Sequence, residues 1–172
     1  MRNLHNILLI VSFLRWMGLR WTFDADSGHV SYKWADNMNL IYTNWGEGQP
    51  ARPEGNSGCV EFLENGSWSI AQSCISAYKF ICKIEMVFDP HTDDDLGDSK
   101  CDPGWSLVTS EKGDEDNKYC YKPFLDPLNW GDAEYECSSY GAHLMSIHSD
   151  YELKFAQSLS GTTIFLSHII LW

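Results

Sequence analysis

The sequence predicts an α+β chain on three observations: alternating strand patterns and hairpin signals in residues 16–85, two capped helix signals in residues 101–161, and six cysteines. The chain has 172 residues, enough for one large or two small domains. Apolar residues make up 44%, which sustains a core and excludes wholesale disorder. Six cysteines spread along the chain suit an oxidising compartment and three disulfides better than a reduced cytosol.

Residues 7–14 (ILLIVSFL) follow Met1-Arg2 and have the apolar character of a signal-peptide core. The stretch is too short to span a bilayer, and Arg15-Trp16-Met17 follows where a small-residue cleavage site would stand. The same residues read equally well as a buried strand, and both readings stay open. Val30-Ser31-Tyr32-Lys33-Trp34 alternates, and Cys59-Val60-Glu61-Phe62-Leu63 places Val60 and Phe62 on one strand face. Asn65-Gly66 is a tight-turn signal, after which Trp68 and residues 78–82 give further strands. Residues 44–58 form a long irregular loop rich in Gly and Pro, a length that in a compact domain is functional or stapled.

Residues 101–121 read as a disulfide-closed hairpin with an acidic tip. Asn129 caps a helix whose Trp130, Ala133, Cys137 and Tyr140 share a face and which ends at Gly141. Ser149-Asp150-Tyr151-Glu152 is a capping box for a second helix, with Leu153, Ala156 and Leu159 inward and Gly161 closing it. Neither region alone supplies both sides of a core. Trp16, Trp34, Trp45, Trp68 and Trp105 are assigned to the interior on size.

The formal charge of −12 argues against nucleic-acid binding, which needs clustered Lys and Arg. It is concentrated: residues 85–116 hold 11 acids and two Lys, a balance of −9, leaving −3 elsewhere. Residues 86–100 therefore read as a self-repelling acidic linker. A calcium loop through Asp93, Asp94, Asp95 and Asp98 is the alternative, but the EF-hand positions for Gly and for the closing Glu are not filled.

Trp16-Met17-Gly18-Leu19, Tyr42-Thr43-Asn44-Trp45, Gly48-Gln49-Pro50, Cys59-Val60-Glu61, Asn65-Gly66-Ser67-Trp68, Cys74 and Phe80-Ile81-Cys82-Lys83 resemble the C-terminal half of a C-type lectin-like domain. Cys101-x-x-Gly104-Trp105, Cys120-Tyr121, Trp130-x-x-Ala133-x-x-x-Cys137 and residues 141–147 resemble the N-terminal half. The style is that of the macrophage mannose receptor group, whose domains follow one another through short linkers. The resemblance implies two helices on small antiparallel sheets with a long disulfide-anchored loop. Residues 1–85 are the back half, 86–100 the linker and 101–172 the front half, although residues 162–172 fit no family motif.

The order is reversed relative to one domain. Either the chain follows the junction of two neighbouring domains, or its halves complete each other as a circular permutant, and the two are compatible. The resemblance implies bridges Cys59–Cys74, Cys101–Cys120 and Cys82–Cys137, the last joining the halves. Loop closure would contribute about 3 kcal/mol for each short loop and roughly 4 kcal/mol for the long one.

Sugar-binding relatives hold Ca²⁺ through oxygens of the long loop and the following strand, since Ca²⁺ needs six to eight hard ligands. Here Gln49-Pro50-Ala51 retains one oxygen side chain, Ser57 stands at a glutamate's place, and Trp68-Ser69-Ile70 replaces Trp-Asn-Asp. Arg52 adds a cation beside the motif. The calcium site is therefore expected to be degenerate and no cofactor is expected. Glu47 and Glu54 either rebuild a weak site or stay solvated beside Arg52. Pro50 is expected to keep its role in shaping the loop, a cis bond being essentially confined to proline.

Gln49, Arg52, Glu54, Asn56 and Ser69 are the candidate ligand contacts, with a glycan or a protein as partner. His143 and His148 read as surface or helix-capping residues rather than ligands. No nucleophile–base arrangement stands out, which disfavours catalysis. Asn65-Gly66-Ser67 satisfies the N-glycosylation sequon at an accessible turn. The expected function is extracellular recognition, with no membrane span in these residues. The alternative is a non-binding spacer or a receptor fragment without independent activity.

Overall fold

A computed structural model describes residues 15–51, 54–86, 101–109 and 118–159. Arg52, residues 1–14, linker residues 87–100, the hairpin tip at 110–117, Gly161 and residues 162–172 lie outside the described residues. The order of elements is β1 (Arg15–Asp24), β2 (His29–Trp34), β3 (Ser57–Phe62), β4 (Trp68–Ile70), β5 (Tyr78–Glu85), β6 (Ser106–Thr109), β7 (Lys118–Leu128), α1 (Trp130–Ser138), β8 (His143–Leu144) and α2 (Asp150–Leu159).

The strands join into one sheet in the order β4-β3-β1-β5-β7-β6, with β2 on β1 and β8 on β5. Named pairings are antiparallel except β1 with β5, where Trp16 lies beside Phe80. Alternation divides the core into two layers. Met17, Leu19, Trp21, Val60, Phe62 and Ile81 fill one together with Ala156 of α2. Trp16, Cys59, Phe80 and Cys82 fill the other against Trp130, Ala133 and Cys137 of α1. Strand β1 is apolar on both faces, so it runs through the interior rather than along an edge.

Asn129 caps α1 as expected, its side chain accepting the Asp132 N–H at 2.9 Å. Trp130, Ala133 and Cys137 are buried, but Tyr140 falls beyond the helix and is 43% exposed. Its ring meets Trp105 and Phe124 instead. Trp16, Trp34 and Trp68 are buried as expected, whereas Trp45 and Trp105 are only partly covered. Gly66 takes a positive φ in the Asn65 turn, the left-handed backbone that glycine accepts without steric cost.

Segments that the sequence reading assigns to opposite halves meet throughout. β5 pairs with β7 from Glu85↔Tyr119 to Tyr78↔Leu128 and with β8 at Cys82↔Leu144. Gly18 donates to the Met145 carbonyl at 2.9 Å, and a side chain at Gly18 would collide with Leu144. The Trp16 and Trp130 indoles donate to the carbonyls of Leu128 and Met17, both at 2.9 Å. The disulfides are Cys59–Cys74, Cys82–Cys137 and Cys101–Cys120, the pairs that the resemblance implies.

The capping box is only half formed. Ser149 accepts the Glu152 N–H at 3.2 Å, but the Glu152 carboxylate turns into the core. There it accepts from Lys83 Nζ at 2.7 Å, Tyr121 Oη at 3.0 Å and the His148 N–H at 2.6 Å. Lys83 also donates to the Ser146 carbonyl and lies over the Tyr119 ring. Burial is the main influence on Lys83 and lowers its pKa, while Glu152 opposes the shift. Glu152→Gln would strand a buried ammonium, so urea unfolding at neutral pH should show a loss of about 3–5 kcal/mol.

His148 is neither a surface nor a capping residue. Its ring packs against Trp34, and its two ring nitrogens are buried without partners among the described residues. Burial first, and then the Lys83 charge, lower its pKa, against opposing pulls from Glu152 and Asp36. The folded chain therefore binds a proton there less readily than the unfolded chain does. This contribution is present above the unfolded pKa of about 6.5 and is lost as pH falls below it. Unfolding midpoints between pH 7.5 and 5 should decline, and His148→Phe should flatten part of that slope.

Candidate functional site

Strand alternation that turns Val60 and Phe62 inward sends Cys59 and Glu61 to the opposite face. Cys59 is bridged to Cys74 across 15 residues, which holds the loop after β4 beside Glu61. On the other side lies the long loop, with a cis Gln49–Pro50 bond. Between them is a cleft of about 870 Å³. Trp21, Gln49, Glu54, Glu61, Ser69 and Tyr78 contribute to its wall.

Gln49 ties the loop to the sheet. Its Oε1 accepts the Ala51 N–H at 3.0 Å and the Ile70 N–H at 3.1 Å. An amide oxygen has two acceptor sites, and backbone donors occupy both. Ser69 is half-buried, and its hydroxyl donates to the Ile70 carbonyl at 3.3 Å. Burial raises the Glu61 pKa, and the neighbouring hydroxyls of Tyr78 and Ser69 oppose the shift. The Tyr78 ring is held by Trp16, with centroids 4.6 Å apart.

The candidate contacts thus divide. Gln49, Glu54 and Ser69 meet at one cleft, while Asn56 is exposed outside its wall and lends its carbonyl to Phe23 N–H at 2.8 Å. Glu47 is exposed on the loop. Asn65 is exposed in its turn, with Oδ1 accepting from the Ser67 N–H and hydroxyl. His143 pairs with Glu134 at 2.5 Å, away from the cleft. Among the described residues, no three His, Cys, Asp or Glu side chains are grouped as a metal site would require.

Sequence reasoning missed Trp21, Glu61 and Tyr78 as site residues. The available signal for Glu61 was its phase: an acid opposite the apolar face of a short strand, two residues from a cysteine. Gln49→Ala should release the loop without unfolding the protein. The Ile70 amide should then exchange with solvent at least tenfold faster, read by hydrogen exchange.

Residues 11–84 match the family described as lectin C-type domain. C-type mannose receptor 2 of Rattus norvegicus is 29% identical over 157 residues, covering 88% of this chain and 10% of that protein. The chain is similar to C-type lectin-like domains of the macrophage mannose receptor group. Lymphocyte antigen 75 of Mus musculus is 29% identical over 143 residues, covering 81% of this chain and 8% of that protein. C-type lectin 9a of Crotalus adamanteus is 45% identical over 65 residues, covering 37% of this chain and 36% of that protein. The chain thus spans about a tenth of the length of the two receptors. A match of 157 residues exceeds either half, so in this C-type lectin-like chain it runs through both halves in their present order. No solved structure gives a significant match.

Proposed function

We propose that this chain is an extracellular recognition module in which the two halves complete one domain and the ligand is held without calcium. The observation that carries the calcium-free reading is Gln49. The one oxygen side chain left in the long-loop motif is saturated by the N–H groups of Ala51 and Ile70. Ser69 and Ile70 supply no carboxylate. A hard dication would find too few free oxygens on this wall.

Three disulfides support an oxidising, extracellular setting. No helix among the described residues is long and apolar enough to cross a membrane. The cysteines are committed to bridges, and His143 and His148 are committed to Glu134 and to the core, which supports a binding rather than a catalytic role. The partner is a protein or a glycan contacted by residues 45–58 and the cleft beside them. Asn65 is an accessible glycosylation acceptor on the neighbouring turn.

An array of glycans and proteins, read in calcium and in chelator, tests this proposal. Binding that is unchanged by chelator is the expected result. Chelator-sensitive sugar binding would overturn the calcium-free reading, and silence on every surface would favour a spacer or an inactive fragment.

A further inference from the structure

The His148 ring is held in the fold by packing alone. Its centroid lies 5.7 Å from that of Trp34, and both ring nitrogens are buried without a hydrogen-bond partner among the described residues. Charged groups act on it from three segments: Asp36 after β2, Lys83 of β5 and Glu152 of α2. Lys83 is faced in turn by Glu85 and by the rings of Tyr119 and Tyr121 of β7. Both carboxylates beside the ring are already engaged. Glu152 accepts from Lys83, Tyr121 and the His148 backbone N–H, while Asp36 accepts from the Ser146 hydroxyl and the Met38 N–H. A protonated ring would bring two N–H donors and a second cation beside the Lys83 ammonium, with no acceptor placed for them. The residue is only half-buried, so an outward swing takes the ring to water.

The element free to move with it is α2. The three disulfides tie β3 to the loop after β4, β5 to α1, and the segment before β6 to β7, so none holds α2. At ten residues α2 is too short to persist alone. Ala156 in the core, Phe155 against the Tyr121 ring and the Lys83–Glu152 pair keep it on the sheet. The same Glu152 carboxylate binds the His148 backbone, so displacing this turn disturbs the ion pair.

α2 also braces the root of the long loop. Asp150 accepts from the Tyr42 hydroxyl at 2.7 Å, and the Gln157 side chain packs on Gly66 in the Asn65 turn. Aromatic rings continue the connection. Trp34 meets Trp68 at 5.6 Å, and Trp68 meets Tyr42 at 5.8 Å and Trp45 at 5.7 Å. The Trp68 backbone donates to the Asn44 carbonyl and accepts from the Gly46 N–H, both at 2.9 Å. His148 thus stands at one end of an aromatic column whose other end carries the long loop.

We propose that protonation of His148 releases α2 from the sheet while the disulfide-linked body stays folded, and that this release loosens residues 42–46 at the root of the recognition loop. The loop is firm at neutral pH and loose in acid. Its effect on binding rests on the calcium-free recognition reading above, while the release of α2 stands without it. Linkage gives the sign. Burial first and the Lys83 charge second lower the proton affinity of the docked ring, so the released state binds the proton more tightly and acid favours it.

Hydrogen exchange in the full chain with its disulfides formed tests this at pH 7.5 and pH 5, with rates corrected for the intrinsic pH dependence of amide exchange. Amides of residues 153–159, Gly46 and Trp68 should lose protection by about fivefold to thirtyfold, the upper figure being the ceiling for a free imidazole with a pKa of about 6.5. Amides of β5 and β7 should keep theirs. His148→Phe, which leaves an apolar ring against Trp34, should hold α2 at its neutral-pH protection. His143→Gln, at the histidine paired with Glu134, should not change the response. In the unaltered chain, the His148 ring proton resonances should titrate over the same pH range as the α2 amides.

Equal losses in α2 and β5 would mean global destabilisation and overturn the proposal. So would full α2 protection at pH 5, a loss that persists in His148→Phe, or a release that leaves Gly46 and Trp68 unchanged. Chelator-insensitive binding on the array beside an α2 that stays docked in acid would overturn this device and leave the recognition reading standing. A chain silent on the array whose α2 and loop root still loosen through His148 would do the reverse.

Discussion

The seam between β5 and the β7–β8 pair is the constraint on which the rest of the molecule depends. Three consecutive residues of β5 act there in different ways. Ile81 enters one core layer, Cys82 bridges to Cys137 of α1 in the other, and Lys83 reaches Glu152 of α2. The backbone ladder alone would tolerate slippage, because a sheet buried on both faces carries weak register information in its apolar pattern. A disulfide and a buried ion pair on adjacent residues, facing opposite ways, fix the register. The ion pair brings a large desolvation cost with its attraction, so specificity of alignment is its clearer contribution.

The recognition face follows from this seam at second hand. Trp16 is held by Phe80 in the parallel β1–β5 pairing and by the Leu128 carbonyl, and it supports the Tyr78 ring. Tyr78 lines the cleft together with Glu61. The cleft is therefore built from back-half residues but braced by front-half ones. A back half without its complement would keep the Cys59–Cys74 loop and lose the Leu128 carbonyl that anchors Trp16 beneath Tyr78. Recognition and completion of the fold are one structural question in this chain.

Much of the fold was legible because its signals are local. Asn129, the Trp130–Ala133–Cys137 spacing, the Asn65-Gly66 turn and the alternation around Val60 each act within a few residues. Tyr140 misled because helical spacing continues past the point where the backbone leaves the helix. Glu152 misled because a buried lysine 69 residues away outcompetes the backbone N–H that a capping box would offer it. The interior position of β1 gave little warning, since a strand apolar on both faces shows no alternation. Half of the site was visible as the long loop with Gln49, Glu54 and Ser69. Trp21, Glu61 and Tyr78 reach the cleft through strand pairing and a disulfide, which no short window of sequence displays.

Completion of the back half by the front half within one chain is open to peptide mapping of the monomer without reduction. A Cys82–Cys137 linked peptide within a single chain is expected, beside Cys59–Cys74 and Cys101–Cys120. A monomer lacking that peptide, or a Cys82–Cys137 link found only between two chains, would contradict it.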